Sequence, residues 1–584
     1  MLIEHKSKWL FLATFSTFVC LQFYSGIHNQ LFGDEAFYWL ESQHLAWSYA
    51  ELPGWTQWAI GFTQWLLPQH ELTVRLPSLM AAWSLPWIGM LICQKINPSE
   101  HTTPWVTGLL IMAIPLLAVS GIMAIPDIWL IFFGLLSVLI LVMGLKTHQR
   151  KHFVLLGIIL AFGINVHVRF WIIVLLAALV VLWYFRSHRL VIRNLILYSF
   201  PVMLIGFVPI LIFNLQNDFS LLNFQLSERH PWQFQAAHIS FFPIQLLVAS
   251  PLVFWLCIQT IRQLSQLNPT QKSVALIAIL HWLTYALVGF FSDNLRFNAH
   301  WTVFSYVLLM VLAGSIPTNN KLKAGSIITG VLGSFAIILT LYFGLHNSQP
   351  ISQTNAQLTE NFRGWQELAD KTNTLIRKSS YDSVVADHFM TLAELKFYSK
   401  PNLNITSLSH PLNIKHGREQ QLETMNYLQT ETTVKGLLIV EHSGLKLDQM
   451  VPFYLDACET LHGIELIDSF DYSSGVKSYF YFKTGGGGCK LPPISYIETQ
   501  DQQMTGWVLL DQEQTVKLGV HQNSHTLGLN ISKKTLGSSH LFKRLTDQDY
   551  YLAEIEATAV DSSHFQLIIE YPNITIATPR IYQP

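Results

Sequence analysis

Apolar runs of about 20 residues, separated by short polar segments, fill roughly the first 345 positions; a run of that length spans the hydrocarbon core of a bilayer as a helix. Eleven such runs can be marked, near 9–28, 75–94, 104–124, 126–145, 152–167, 169–185, 195–214, 239–261, 273–291, 301–316 and 324–345. The fifth and sixth are short and nearly fused around "GINVHVRFW". Residues 55–67 are apolar as well, but at that length an interfacial helix fits better than a crossing one. After residue 348 the pattern changes. "ENFRGWQELADKTNTLIRK" has helical period and ends in bases, whereas "YDSVVADHF", "VKGLLIVEH" and "VKSYFYF" have the β-rich character of short strands. A small α/β domain is therefore expected over 349–483. "TGGGGC" then reads as a flexible joint. Beyond it, "GWVLLD", "TVKLGVHQ", "HTLGLNIS" and "FQLIIEY" predict a β-rich, sandwich-like domain over 484–584. The expected fold class is a polytopic α-helical membrane protein of about eleven spans, carrying an exported α/β domain and a small β-sandwich.

Composition agrees: 51% of the 584 residues are hydrophobic and only 12% are charged, too apolar for an ordinary soluble chain. A net charge of −1 gives no electrostatic footprint for nucleic acid. The distribution of bases sets an orientation. With Lys6 and Lys8 inside, the inner loops also hold Lys95; Lys146, Arg150 and Lys151; Arg186, Arg189 and Arg193; Arg262 and Lys272; Lys321 and Lys323. The outer side of the helical region keeps only Arg75, Arg169, Arg229 and Arg296. By the positive-inside rule the N-terminus is cytoplasmic, and an odd number of spans places the C-terminal domains outside a bacterial inner membrane. The first run has basic flanks and no small-residue cleavage site after it, so it reads as an uncleaved signal anchor. Cys458 and Cys489 fall in the exported region, where a disulfide is permitted but not required by the sequence.

The outer face carries the chemistry. "LFGDEAFYWLESQHLAWSYAELPGWTQW" brings Asp34, Glu35, Glu41 and Glu51 among four tryptophans, with no Lys or Arg until Arg75. "AIPDIWL" adds Asp127 at the start of a span. Taken singly, Asp34 and Asp127 read as helix-start residues. Several carboxylates on one face need a cation or a cationic partner among them. The complementary bases are His167 and Arg169 in "GINVHVRFW", Arg229 and His230 in "QLSERHPWQF", and Arg296 and His300 in "NLRFNAHWTVF". Arginines left on the outer face point to a bound anion, and the planar guanidinium suits a phosphate. Carboxylate, bases and an aromatic membrane edge together fit sugar transfer from a polyprenyl phosphate.

"GDEAFYWLESQHLAWSYAELPGW" resembles the first-loop signature of the bacterial family 39 glycosyltransferases of GT-C architecture, a group that includes protein O-mannosyltransferases and lipid A aminoarabinose transferases. Asp34-Glu35 and Tyr38-Trp39 match its pattern, as do Glu51 and Pro53, while Leu52 and Gly54 replace a basic residue and a second proline. "VRLPSL", "PDIWLIFF", "VPILIFNLQNDFSLLNFQLSERHPW", "NAHWTVFSY" and "GWQELADK" follow in the family's order. The resemblance implies Asp34 as the catalytic carboxylate, with Glu35, Glu51 and Asp127 lining the same cavity. It implies His167, Arg169, Arg229 and Arg296 as the donor-phosphate site, with Arg75, His230 and His300 as further candidates. Some members hold a divalent cation near the carboxylate matching Glu51 and others do not, so a divalent cation at Glu51 stays open. The implied partners are a polyprenyl-phosphate sugar donor and an envelope acceptor, whether lipid A, a glycan, another lipid or a protein. A transporter or flippase is the rival from another class, but such proteins usually place their charges near mid-bilayer on repeated halves. No repeat is evident in this chain.

Overall fold

A computed structural model describes residues 2–97, 104–229, 232–291, 299–346 and 360–578. Within the last stretch, residues 380, 382, 400–402, 430–434, 473–476, 501–502, 513–516, 523–524, 528, 538, 559–564 and 571–574 are not described. The chain divides into two compact units, Met1–Phe343 and Gly344–Pro584.

The first unit is helical. Its chain begins with α1 (Leu2–His28), α2 (Gly33–Ser42), α3 (Trp55–Leu66) and α4 (Glu71–Ile96). Then come α5 (Pro104–Met112), α6 (Pro115–Ser120), α7 (Pro126–Thr147), α8 (Arg150–Ile164) and α9 (Val168–Phe185). A long tract follows, made of α10 (Arg189–Asn194), a π-helical turn (Leu195–Ser199), α11 (Phe200–Ile205) and α12 (Val208–Gln216). The unit closes with α13 (Ser220–Asn223), α14 (Phe241–Ala249), α15 (Pro251–Arg262), α16 (Pro269–Val288), α17 (Val303–Ser315) and α18 (Asn320–His346). Proline opens five of these helices, where its missing N–H costs nothing and its fixed φ suits the first turn.

All eleven apolar runs are helical, but they are not eleven equivalent spans. Among the described residues, seven helical stretches are long and apolar enough to cross a membrane: 6–28, 71–96, 126–147, 168–185, 189–216, 269–291 and 320–340. The run near 239–261 is instead α14 and α15 bent by 102° at Ser250, whose φ of 66° breaks the helical path. The run near 104–124 breaks before Pro115 into α5 and α6. The 152–167 run gives a helix of 15 residues, and the 301–316 run gives one of 13 preceded by a short 3-10 turn. Hydropathy counts apolar residues, whereas a break depends on backbone angles set by prolines and by one strained serine. The α3 segment is the short apolar helix expected, and its Phe62 and Trp65 side chains point outward.

The second unit starts with α19 (Trp365–Ser379) and a five-stranded sheet in the order β2-β1-β3-β5-β4. Its strands are β1 (Ser383–Ala386), β2 (Ile405–Ser407), β3 (Gly436–Glu441), β4 (Ile464–Tyr472) and β5 (Lys477–Thr484). β1 pairs parallel with both β2 and β3, and β5 runs antiparallel between β3 and β4. Eight further strands follow: β6 (Ile494–Gln500), β7 (Gln503–Asp511), β8 (Lys517–Gln522), β9 (His525–Leu527), β10 (Asn530–Lys534), β11 (Tyr550–Thr558), β12 (Phe565–Glu570) and β13 (Thr575–Thr578). They form two four-stranded antiparallel sheets, β10-β11-β7-β6 and β13-β12-β8-β9. One core runs from Leu438 and Phe480 of the mixed sheet to Ile497, Val508 and Ile555 of the first antiparallel sheet. The glycine tract is not a loose joint. Ile464 N donates to Gly488 O, Gly487 N donates to His462 O, and Cys489 is disulfide-bonded to Cys458 with the Cα atoms 5.7 Å apart.

Candidate functional site

The Asp-Glu pair of the first loop divides its labour between two faces of α2. Asp34 does not cap this helix; the N-cap position falls on Phe32, whose N–H donates to Glu35 Oε2 at 3.0 Å. Glu35 is fully buried and meets Arg75 edge-on: Arg75 Nε donates to Oε1 at 2.9 Å and Nη2 to Oε2 at 2.7 Å. The remaining guanidinium donors serve the carbonyls of Asn29 (2.7 Å) and Gln30 (2.8 Å) at the α1–α2 corner. Ala124 N donates to Glu35 Oε1 at 2.7 Å, which ties the start of α2 to the segment leading into Asp127.

This geometry corrects two expectations. Glu35 is no cavity carboxylate, because both its oxygens are engaged by Arg75 and backbone amides. Arg75 is no phosphate ligand, because its fork is filled and its side chain is entirely buried. The missing positive charge of the first loop is Arg75 itself, supplied from α4, 40 residues further along. Asp34, one position earlier and part-exposed, is left on a helix that this knot holds fixed.

A second polar cluster forms at the N-terminal ends of α7 and α9. Arg169 Nη1 donates to Asp127 Oδ1 at 3.0 Å, and its guanidinium carbon lies 5.0 Å from the centre of the Trp301 ring. His300 Nε2 approaches the same Asp127 oxygen at 3.5 Å. His167 caps α9, its Nδ1 accepting from Arg169 N at 3.1 Å, and its Nε2 lies 3.3 Å from Arg169 Nε. A neutral imidazole accepts at only one of these nitrogens. Arg229 lies within electrostatic reach of Asp127, and its Nη1 donates to Gln225 Oε1 at 3.1 Å. Gln225 in turn donates to the carbonyl of Glu51, so the arginine joins the first loop. The structure thus brings together Asp127, His167, Arg169, His300 and Arg229, with Glu51 linked through its backbone. Arg296 and His230 lie outside the described residues.

Among the described residues no three His, Cys, Asp or Glu side chains are arranged as metal ligands, and the Glu51 side chain is buried.

Three further groups were not legible as site residues. Trp301 sits inside a recognisable motif, yet only the fold stacks it on Arg169. Gln245 is fully buried and clamps the turn that carries His300: Thr302 Oγ1 donates to its Oε1 at 2.6 Å, Tyr306 OH does so at 2.8 Å, and its Nε2 donates to Ala299 O at 3.3 Å. In the second unit, Asp387 and His388 follow β1 and Glu441 ends β3, so they gather at the carboxyl ends of two parallel strands. His388 Nε2 is 3.4 Å from Glu441 and 3.8 Å from Asp387. Burial opposes the His388 imidazolium, but the two carboxylates outweigh it and raise its pKa. Burial, and after it the charge of His388, pushes neighbouring His410 down to about 2.

The helical unit, with carboxylate and guanidinium clusters at helix starts, joined in sequence to β-rich sheets, has the GT-C membrane fold. Two solved structures and one sequence relative carry that statement. The crystal structure of ArnT from Cupriavidus metallidurans in the apo state matches with a TM-score of 0.57 at 13% identity, covering 83% of this chain and 99% of that one. The same protein bound to undecaprenyl phosphate matches at 0.56 and 14%, covering 81% and 98%. In sequence, the lipid A galacturonosyltransferase RgtD of Rhizobium johnstonii is 22% identical over 387 residues, 64% of this chain and 78% of the relative. No family model matches the chain.

Proposed function

We propose that this protein is an integral-membrane glycosyltransferase that moves a sugar from a polyprenyl-phosphate carrier to a lipid acceptor of the cell envelope, lipid A or a close analogue. The observation that carries the reading is the Asp127–Arg169–His300 cluster, tied through Arg229, Gln225 and Glu51 to the loop that bears Asp34. The fold-mate bound to undecaprenyl phosphate and the lipid A-modifying relative support the donor and acceptor classes.

Arg169 is oriented by Asp127 and by the face of Trp301, so its guanidinium is set before substrate arrives. With Arg229 and His167 it receives the donor phosphate. As the bond from the anomeric carbon to the phosphate oxygen breaks, negative charge grows on the leaving polyprenyl phosphate, and fixed guanidinium donors stabilise that charge most. Asp34 takes the proton from the acceptor hydroxyl as its oxygen attacks the anomeric carbon. One displacement inverts the anomeric centre and needs no covalent sugar intermediate. Transfer takes place on the face opposite the basic loops, the extracytoplasmic side by the charge rule.

The test is mass spectrometry of envelope lipids and glycans from a deletion strain complemented with wild type or with Asp34→Asn at equal expression. Loss of one sugar, restored by wild type alone, establishes transfer and names both sugar and acceptor. Equal restoration by the Asn variant removes Asp34 from the chemistry.

A further inference from the structure

At the far end of the bundle from Asp127 the chain has a second arginine-lined feature, which sugar transfer does not use. α9 starts beside the Asp127 cluster and ends 18 residues later, about 27 Å away along its axis. There Arg186, Arg189 and Arg193 line a cavity of about 370 Å³, with Ile192, Ile196 and Leu197 as its apolar wall. The three arginines are exposed, as are Ile196 and Leu197 in the π-helical turn. Trp183 is largely exposed one turn before the corner, with the Arg186 guanidinium 5.4 Å from its ring centre. The tract is fastened to α8 by Ser199 Oγ donating to Phe153 O at 2.7 Å, and Asn194 Nδ2 donates to His148 O at 3.2 Å.

No Asp or Glu occurs between Asp127 and Asp218, so this stretch supplies no countercharge of its own. Guanidinium groups and aliphatic side chains line one open pocket at a helix end, with an exposed tryptophan beside them. That pairing of cationic donors with an apolar wall matches the phosphate and acyl chains of a phospholipid.

We propose that this cavity is a binding site for an anionic phospholipid of the leaflet on the basic face of the protein, its phosphate on Arg186, Arg189 and Arg193 and its chains against Ile192, Ile196 and Leu197. A lipid with two phosphates engages more of the three forks than one with a single phosphate. It is therefore retained in preference to a singly charged lipid, and both in preference to a zwitterionic one.

The experiment is native mass spectrometry of the full chain in detergent, titrated with cardiolipin, phosphatidylglycerol or phosphatidylethanolamine. Wild type retains one cardiolipin preferentially, and the Arg186→Gln/Arg189→Gln/Arg193→Gln variant retains it roughly a hundredfold less well. Arg150→Gln/Lys151→Gln, which removes two bases of the neighbouring loop, leaves retention unchanged. Equal loss in that control would mean diffuse surface charge and overturn the site, as would undiminished retention in the triple variant. Competition by inorganic phosphate as effective as that by lipid would also overturn it, since the acyl wall would then contribute nothing. Should the triple variant fail to fold, Arg193→Gln alone should lower cardiolipin retention about fivefold, and undiminished retention in it would overturn the site. Retention is measured without any sugar transfer, so its failure leaves the proposed activity untouched.

Discussion

Arg75→Met should loosen the corner that carries Asp34. The arginine gives Glu35 two short hydrogen bonds, at 2.9 and 2.7 Å, and closes the α1–α2 corner through two more at 2.7 and 2.8 Å. Both partners of the ion pair are fully buried, so removing one strands the other charge away from water. Breaking such a pair costs about 3–5 kcal/mol. The Phe32 and Ala124 amides still donate to Glu35, which argues for the lower part of that range. The assay is hydrogen exchange over residues 26–36 and 122–126 in detergent. A loss of about 3 kcal/mol in local opening free energy speeds exchange by roughly two orders of magnitude. Glu35→Gln/Arg75→Met should cost clearly less than the sum of the single changes, because neither charge is then left stranded. Unchanged exchange in Arg75→Met, or simple additivity in the double variant, would refute the reasoning.

Three further outcomes follow from named contacts. Arg169→Lys keeps the charge but loses the planar fork on Asp127 and its seat over Trp301, so kcat/KM for the donor should fall roughly ten- to a hundredfold; a wild-type value would mean that charge alone suffices. His410 has a folded pKa of about 2 against 6.5 for the free imidazole, so the unfolded chain binds the extra proton. The stability this burial confers is complete above about pH 6.5 and is lost as pH falls towards 2. His388, raised instead, contributes in the opposite sense, below pH 6.5 and not well above it. His410→Asn keeps an acceptor for Leu412 N and should flatten the acid-side loss of exchange protection over residues 405–415; an unchanged acid limb would exclude His410 as its source. Cys458→Ser/Cys489→Ser opens a link between positions 31 apart and should cost the second unit roughly 3–4 kcal/mol, read as faster exchange in β5 and β6; no change would mean the thiols are reduced in the working protein.

Much of this protein is written locally. Apolar runs of bilayer length call for helices in any context, because an unpaired backbone amide in hydrocarbon is too costly. Period-two stretches after residue 480 call for strands, and the ordered motifs from Asp34 to Trp301 already point to the membrane-edge chemistry of sugar transfer. What the tertiary structure decided is which charges meet. Glu35 and Asp34 are neighbours in sequence, yet successive helical residues lie on different faces, and only the fold sends one to Arg75 and leaves the other part-exposed. The same holds for Arg169, which finds Asp127 42 residues before it, and for Gln245, which reaches Thr302 57 residues ahead. Composition cannot distinguish a straight span from α14 and α15 bent at Ser250, since both are equally apolar. Local pattern fixes where a chain turns into helix or strand because those hydrogen bonds close within a few residues. The pairing of buried charges is set by packing between elements distant in sequence, where the cost of leaving a charge unpaired selects the partner.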